Sequence, residues 1–166
     1  MLSFLPNHIF EKITDISPEF LQEKSIRLLL MDFDNTMLPY TTNTPSPELL
    51  RWVKGMKDAG ILLCIVSNSK KARVPNFSEK HGIACITHAA KPRTKGIFSA
   101  MERFGFARDQ VAMVGDQIFT DTLGARRADI TALLVRSINN HTIWLKLRHV
   151  FELPFIALAR KRRVQL

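Results

Sequence analysis

Cysteine is nearly absent from this chain. Only Cys64 and Cys85 occur in 166 residues, each inside an apolar run. Two thiols cannot staple a small disulfide scaffold, and these two lack the paired spacing of a zinc site, so both read as buried hydrophobes in a reducing compartment. Long apolar runs are missing too: the longest extend about six or seven residues, against roughly 20 for a membrane-spanning helix. Met1 to Asn7 carry no basic stretch, and Pro6 interrupts them before an apolar segment can form, so no secretory signal is expected. Internal repeats and low-complexity tracts are lacking. The expectation is a soluble, cytoplasmic protein. Acid is also scarce, with 15 Asp and Glu against 24 Lys and Arg, a net charge of +9. Such a surplus calls for an anionic partner: nucleic acid, a membrane surface or a phosphorylated substrate.

What is present fits one ordinary domain. Apolar residues make up 46% and charged residues 23%, which excludes disorder and collagen. The positive charge is uneven. Lys146, Arg148, Arg160, Lys161, Arg162 and Arg163 face a single acid, Glu152, between His141 and Leu166. More than half of the net charge therefore sits at the end of the chain.

Hydrophobic periodicity alternates between strand and helix. Short apolar runs at 26–31, 61–66, 83–87, 111–114 and 130–135 predict five strands. Ser46-Pro47 is a helix start, and Leu49, Leu50, Val53 and Met56 recur at helical spacing up to Gly60. Further helices are expected after Ser69 up to Gly82, with Pro75 restricting the regular part, over 94–104 up to Gly105, and over 121–128. Strands separated by helices imply an α/β fold, a parallel sheet with right-handed crossovers and helices on both faces. The chain divides into a helical lead-in over 1–25, a core over 26–136 and a basic helical segment over 137–166, hinged at Pro154.

Ligands bind such sheets at the carboxyl ends of the strands. After the first strand stand Asp32, Asp34, Asn35 and Thr36; after the second, Ser67, Asn68 and Ser69; after the third, Lys91 and Pro92; after the fourth, Gly115, Asp116 and Asp121. Acids, a hydroxyl and a lysine thus converge on one edge. Asp32-Phe33-Asp34 leaves a buried strand with two carboxylates, and Asp116 beside them calls for a hard cation to offset the repulsion.

In chain order, Asp32-Phe33-Asp34-Asn35-Thr36, Ser67, Lys91-Pro92 and Gly115-Asp116-Gln117-Ile118-Phe119-Thr120-Asp121 resemble the four motifs of the haloacid dehalogenase superfamily. More narrowly, they resemble its subfamily IIIA phosphatases of the YqeG type, which are related to phosphatidylglycerophosphate phosphatases. The resemblance implies a three-layer Rossmann-like sandwich with strand order 5-4-1-2-3. It implies a phosphatase in which Asp32 attacks phosphorus to form an aspartyl-phosphate, and Asp34 protonates the leaving alkoxide, then activates water. It also implies Mg²⁺ held by the Asp32 carboxylate, the Asp34 backbone carbonyl and Asp116, with Asp121 at the same metal site orienting bound water or the lysine. Ser67, Asn68 and Lys91 would grip the phosphoryl oxygens and Thr36 would orient Asp34. An acid two places after the nucleophile favours a phosphate ester over carbon–halogen or phosphonate cleavage.

Cap domains in this superfamily follow the first motif or the third strand. Here those positions offer only Met37 to Ser46 and His88 to Ala90, so no sizeable cap is expected and the site should be open. An open site suits a phosphate carried on something large, with phosphatidylglycerophosphate as the leading case, or a homo-oligomer whose second subunit supplies a lid. A phosphatase of a small sugar or nucleotide phosphate is the alternative. Ile143, Trp144, Leu147, Val150 and Phe151, followed by the Arg160–Arg163 cluster, fit peripheral contact with an anionic membrane, or an apolar stripe packed on the core with a solvated tail. A nucleic-acid-associated protein using that tail is the rival from another class; with no aromatic-basic RNA motif and no reading helix, it is not favoured. Lys70, Lys71 and Arg73 read as a solvated helix face. Arg126 and Arg127 read as exposed, Arg93 and Lys95 lie near the expected mouth, and His81, His88 and His149 lack ligand partners.

Overall fold

Helix starts and stops in this chain are local. The computed structural model describes residues 4–138, so all but the first two residues of the basic helical segment expected over 137–166 lie outside the described residues. Ser46 Oγ accepts the Leu49 N–H at 3.1 Å, and Pro47 opens α2, Pro47–Asp58. Gly60 leaves that helix in the left-handed region at φ +77°, which glycine occupies without a Cβ penalty. Leu49, Trp52, Val53 and Met56 form the buried stripe of α2. Leu50, expected in that stripe, is instead exposed, because the i, i+3, i+4, i+7 series from Leu49 runs through Trp52. Pro75 lies in the first turn of α3, Arg73–His81, where a missing N–H costs nothing.

The sheet has six parallel strands rather than five: β1 His8–Phe10, β2 Leu28–Met31, β3 Leu62–Val66, β4 Ala84–Ile86, β5 Val111–Gly115 and β6 Thr131–Val135. Their order is β1-β6-β5-β2-β3-β4, so the five expected strands lie in the expected order. The sixth comes from the lead-in. Besides a 3₁₀ turn and α1, Pro18–Glu23, that segment contributes β1, which pairs with β6 from His8↔Leu133 to Phe10↔Val135. Three half-buried residues give no run or alternation from which a strand can be read. By pairing there, β1 satisfies backbone groups that an uncovered β6 edge would expose.

Helices cover both faces. Leu29 and Met31 of β2 pack with Trp52, Met56, Val74 and Phe77 from α2 and α3. Leu28 and Leu30 pack with Ile97 and Ala100 of α4, Lys95–Phe104, and with Ala125 and Ala128 of α5, Leu123–Ala128. All four residues of β2 are buried, as a continuous apolar run between two helical layers requires. Trp52 Nε1–H donates to the Ile16 carbonyl at 2.7 Å, tying the lead-in to α2.

Register places the site. Met31 pairs with Ile65 on one side and Val114 on the other, so β2, β3 and β5 run out of strand at one level. After β2 the chain moves outward through β3 and β4, then returns to β5 on the opposite side of β2. That reversal opens a crevice between β2 and β5 at their carboxyl ends.

Candidate active site

Asp32 leaves β2 at this crevice, with its backbone N–H still bonded to the Val114 carbonyl at 2.9 Å. The chain then turns sharply. Asn35 takes φ +63°, a conformation that asparagine tolerates better than most residues, and its side-chain oxygen accepts the Tyr40 N–H at 3.1 Å. The turn buries Thr36 against the end of β5. Its hydroxyl donates to Asp116 Oδ1 at 3.2 Å and reaches Asp32 Oδ2 at 3.5 Å. Thr36 therefore orients these two acids and not Asp34, as its motif position had implied.

Asp116 follows β5, and after Gln117 five residues form a π-helical turn, Ile118–Thr122. This turn brings Asp121 back beneath Gly115. The Asp121 carboxylate accepts the Gln117 N–H at 3.1 Å and lies so close to Gly115 that a Cβ there would stand 2.3 Å from it. Gly115 is thus required by close approach.

Lys91 is the central cation. Its Nζ is 2.6 Å from Asp32 Oδ1 and 2.8 Å from Asp121 Oδ1, with the side chain 1% exposed. Burial would lower its pKa, but Asp121 and Asp32 outweigh burial and hold it above the ordinary lysine value. A strained loop delivers it. His88 and Ala90 both have φ +54°, Ala89 is buried, and a Cβ on Gly96 of α4 would come within 2.8 Å of it. Asn68 was expected to grip a phosphoryl oxygen. Its amide is committed elsewhere: Oδ1 accepts the Lys91 N–H at 2.7 Å and Nδ2 donates to the Lys91 carbonyl at 3.0 Å. It clamps the lysine loop instead. Ser67 is buried, and its Oγ accepts the Ser69 N–H at 3.1 Å, leaving its own proton to donate.

The acids are under electrostatic pressure. Burial, then the charges of Asp32 and Asp121, push the Asp116 carboxyl up to about 8. Burial also raises Asp121, opposed by Lys91, to about 6. One carboxylate oxygen from each of Asp32, Asp116 and Asp121 lies within 4.8 Å of the others. A buried, all-oxygen set in which burial and neighbouring acids drive Asp116 and Asp121 towards the neutral form suits a hard divalent cation. The Asp34 carboxyl is not in this group. It is raised by burial, opposed by Arg73.

Arg73 is the site residue that sequence reasoning missed. It had read as part of a solvated helix face, yet its side chain is only 9% exposed and its Nη1 is 2.9 Å from Asp34 Oδ1. Its position just past the Ser67 loop was the one available signal, and Lys70 and Lys71 shared it. Lys70, Lys71, Arg93 and Lys95 are exposed. Arg126 reaches Asn7 Oδ1 at 3.2 Å and Arg127 the Pro92 carbonyl at 3.5 Å. No described helix is long and apolar enough to cross a membrane.

Comparison with known proteins bears on this arrangement. Residues 11–129 match the family profile of haloacid dehalogenase-like hydrolases. The chain is 36% identical over 132 residues to the probable phosphatase YqeG of Bacillus subtilis (strain 168), covering 80% of this chain and 77% of that one. Among solved structures, a putative subfamily III A hydrolase from Legionella pneumophila matches with TM-score 0.50 and 22% identity over 60% of each chain. The 3-deoxy-D-manno-octulosonate 8-phosphate phosphatase from Yersinia pestis matches with TM-score 0.55 and 17% identity, covering 78% of this chain and 73% of that one. These structural likenesses establish the fold.

The lysine loop generates a stability test. Ala90 is exposed and holds a left-handed backbone. Ala90→Gly should raise stability by about 0.5–1 kcal/mol in denaturant unfolding, the strain relief exceeding glycine's extra chain entropy. A loss of stability would contradict the strained-loop reading.

Proposed function

The chain belongs to the haloacid dehalogenase-like hydrolases and is a phosphoric monoester hydrolase, and we propose that it works through an aspartyl-phosphate on Asp32 with Mg²⁺ as its metal. The observation that carries this reading is the Lys91 ammonium, enclosed between Asp32 and Asp121 within a cluster of acids at the crevice. Lys91 occupies Asp32 Oδ1 and leaves Oδ2 with only a long contact to Thr36. Oδ2 is the oxygen free to attack.

In the first half-reaction, Asp32 Oδ2 forms a bond to phosphorus as the ester P–O bond breaks in line, and the Asp34 carboxyl gives its proton to the departing oxygen. Lys91 Nζ and the Ser67 hydroxyl would donate to the equatorial phosphoryl oxygens as charge collects there, and so stabilise the transition state more than the ground state. In the second half, Asp34, now a carboxylate, takes a proton from water as that water attacks phosphorus and Asp32 departs. Asp32, Asp116 and the Asp34 backbone carbonyl would hold Mg²⁺, while Asp121 holds Lys91 and completes the acid set. When bound, the metal would supply charge neutralisation and polarisation of the phosphoryl group.

The substrate proposed is a lipid-borne phosphate monoester such as phosphatidylglycerophosphate. Two features support it: the loops at 37–46 and 88–90 are too short to enclose a small molecule, and the basic residues concentrate after His141, outside the described residues. Such a segment would draw the enzyme to an anionic membrane surface, each Lys or Arg contributing about 1 kcal/mol. The enzyme would otherwise be cytoplasmic.

Asp32→Asn should reduce Mg²⁺-dependent phosphate release from a chromogenic ester by roughly 10³-fold or more; unchanged turnover would refute the nucleophile assignment. For the substrate, turnover of phosphatidylglycerophosphate in anionic vesicles should exceed that of soluble sugar and nucleotide phosphates, and deleting residues 160–166 should weaken vesicle binding. If soluble esters win by orders of magnitude and the deletion leaves binding unchanged, the membrane reading fails.

A further inference from the structure

Arg73 makes more contacts than an ion pair requires. Its Nη1 lies 2.9 Å from Asp34 Oδ1 and also donates to the Tyr40 carbonyl at 2.7 Å. Its Nη2 donates to the carbonyls of Pro39 at 3.0 Å and Thr42 at 2.5 Å. The guanidinium lies 5.1 Å from the centroid of Phe33, the residue between Asp32 and Asp34, and 5.7 Å from that of Tyr40. Phe33 is fixed beneath it by an edge contact with Phe77 of α3 at 5.2 Å. One planar cation therefore connects the first turn of α3, the loop after β2 and the Asp34 carboxyl.

These contacts set the direction in which Asp34 points. Arg73 is anchored by three carbonyls and an aromatic face, so it has one place to stand, and Asp34 is held at the end of it. Proton transfer to a leaving oxygen depends on a heavy-atom separation near 3 Å, and a displacement of about 1 Å costs on the order of 10²-fold. Lysine cannot replace this: it has the charge but not the planar fork that reaches several acceptors at once.

We propose that Arg73 is a positioning residue that aims the Asp34 carboxyl at the leaving-group oxygen, through a guanidinium locked to the Pro39, Tyr40 and Thr42 carbonyls. This inference rests on the assignment of Asp34 as general acid. In the step concerned, the Asp34 O–H bond breaks as the proton joins the ester oxygen, the P–O bond releases its electron pair to that oxygen, and Asp32 Oδ2 bonds to phosphorus. Only an alkoxide leaving group needs that proton; a nitrophenolate departs without it. The side of the crevice marked by Asp34, Arg73 and the half-exposed Tyr40 is then where the leaving group lies.

The test compares kcat/KM, which reports only the steps through the first phosphoryl transfer, for an alkyl phosphate and for nitrophenyl phosphate with Mg²⁺ present. Wild type, Arg73→Met, Arg73→Lys, Asp34→Asn and the Arg73→Met/Asp34→Asn double variant are used as full-length chains. The alkyl-to-aryl ratio should fall at least about tenfold in Arg73→Met and further in Asp34→Asn, as loss of general-acid catalysis predicts. The double variant should match Asp34→Asn alone, because two residues acting through one proton are not additive. Arg73→Lys should fail to restore the ratio; it also keeps the test decisive should Arg73→Met not fold. If Asp34→Asn shifts the ratio and neither Arg73 variant does, the positioning role is wrong while the acid assignment stands. If Asp34→Asn leaves the ratio unchanged, the acid assignment itself fails and the proposal fails with it.

Discussion

Lys91 carries a positive charge with almost no access to water, shared between Asp32 and Asp121 at hydrogen-bonding distance. An ammonium buried this way is costly unless opposite charges face it closely. The acids have the reciprocal difficulty, since burial and mutual repulsion drive Asp116 and Asp121 towards protonation. Each side makes the other tolerable. Much of the surrounding backbone is shaped to let them meet: the left-handed residues at 88 and 90, the Asn68 clamp on the lysine backbone, and the π-helical turn that returns Asp121 under a glycine. Strain of this kind persists only where the surroundings over-determine it.

The crevice has two sides, with Asp32 between them. On one side Asp116 and Asp121 form with Asp32 an oxygen-rich, charge-deficient group suited to a divalent cation. On the other, Asp34 is drawn away by Arg73 and excluded from that group. Under the proposed mechanism the separation has a use. A carboxyl that binds metal is held in its anionic form, whereas one that must release a proton needs to stand clear of the cation. Phe33, buried between the two acids in sequence, gives the arginine its platform.

Legibility in the sequence followed the range of the interactions. The five central strands could be read because each is a short, continuous apolar run, and their order followed from a family resemblance carried on strand-end residues. The strand β1 could not be read, because three half-buried residues gain their conformation from pairing with β6 alone. Asp32, Asp34, Ser67, Lys91, Asp116 and Asp121 could be singled out by type and by their places at strand ends. Their partners were less so. Thr36 faces Asp116 rather than Asp34, and Asn68 holds the lysine backbone, because the turn at Asn35 and the loop at 88–92 redirect side chains in ways that spacing does not encode. Arg73 looked like any basic residue on a helix, since what distinguishes it is three carbonyls on a distant loop.

Covalent capture of the intermediate examines the nucleophile directly. Enzyme turning over a phosphate monoester with Mg²⁺ is quenched in acid, treated with borohydride and digested, and the peptide spanning Leu28 to Thr36 is sequenced by mass spectrometry. An acyl-phosphate on Asp32 is reduced at that carboxyl, so position 32 should be recovered as homoserine in turning-over enzyme and as aspartate in enzyme without substrate. Reduction at a different carboxylate, or aspartate at position 32 under conditions where phosphate is demonstrably released, would contradict the assignment.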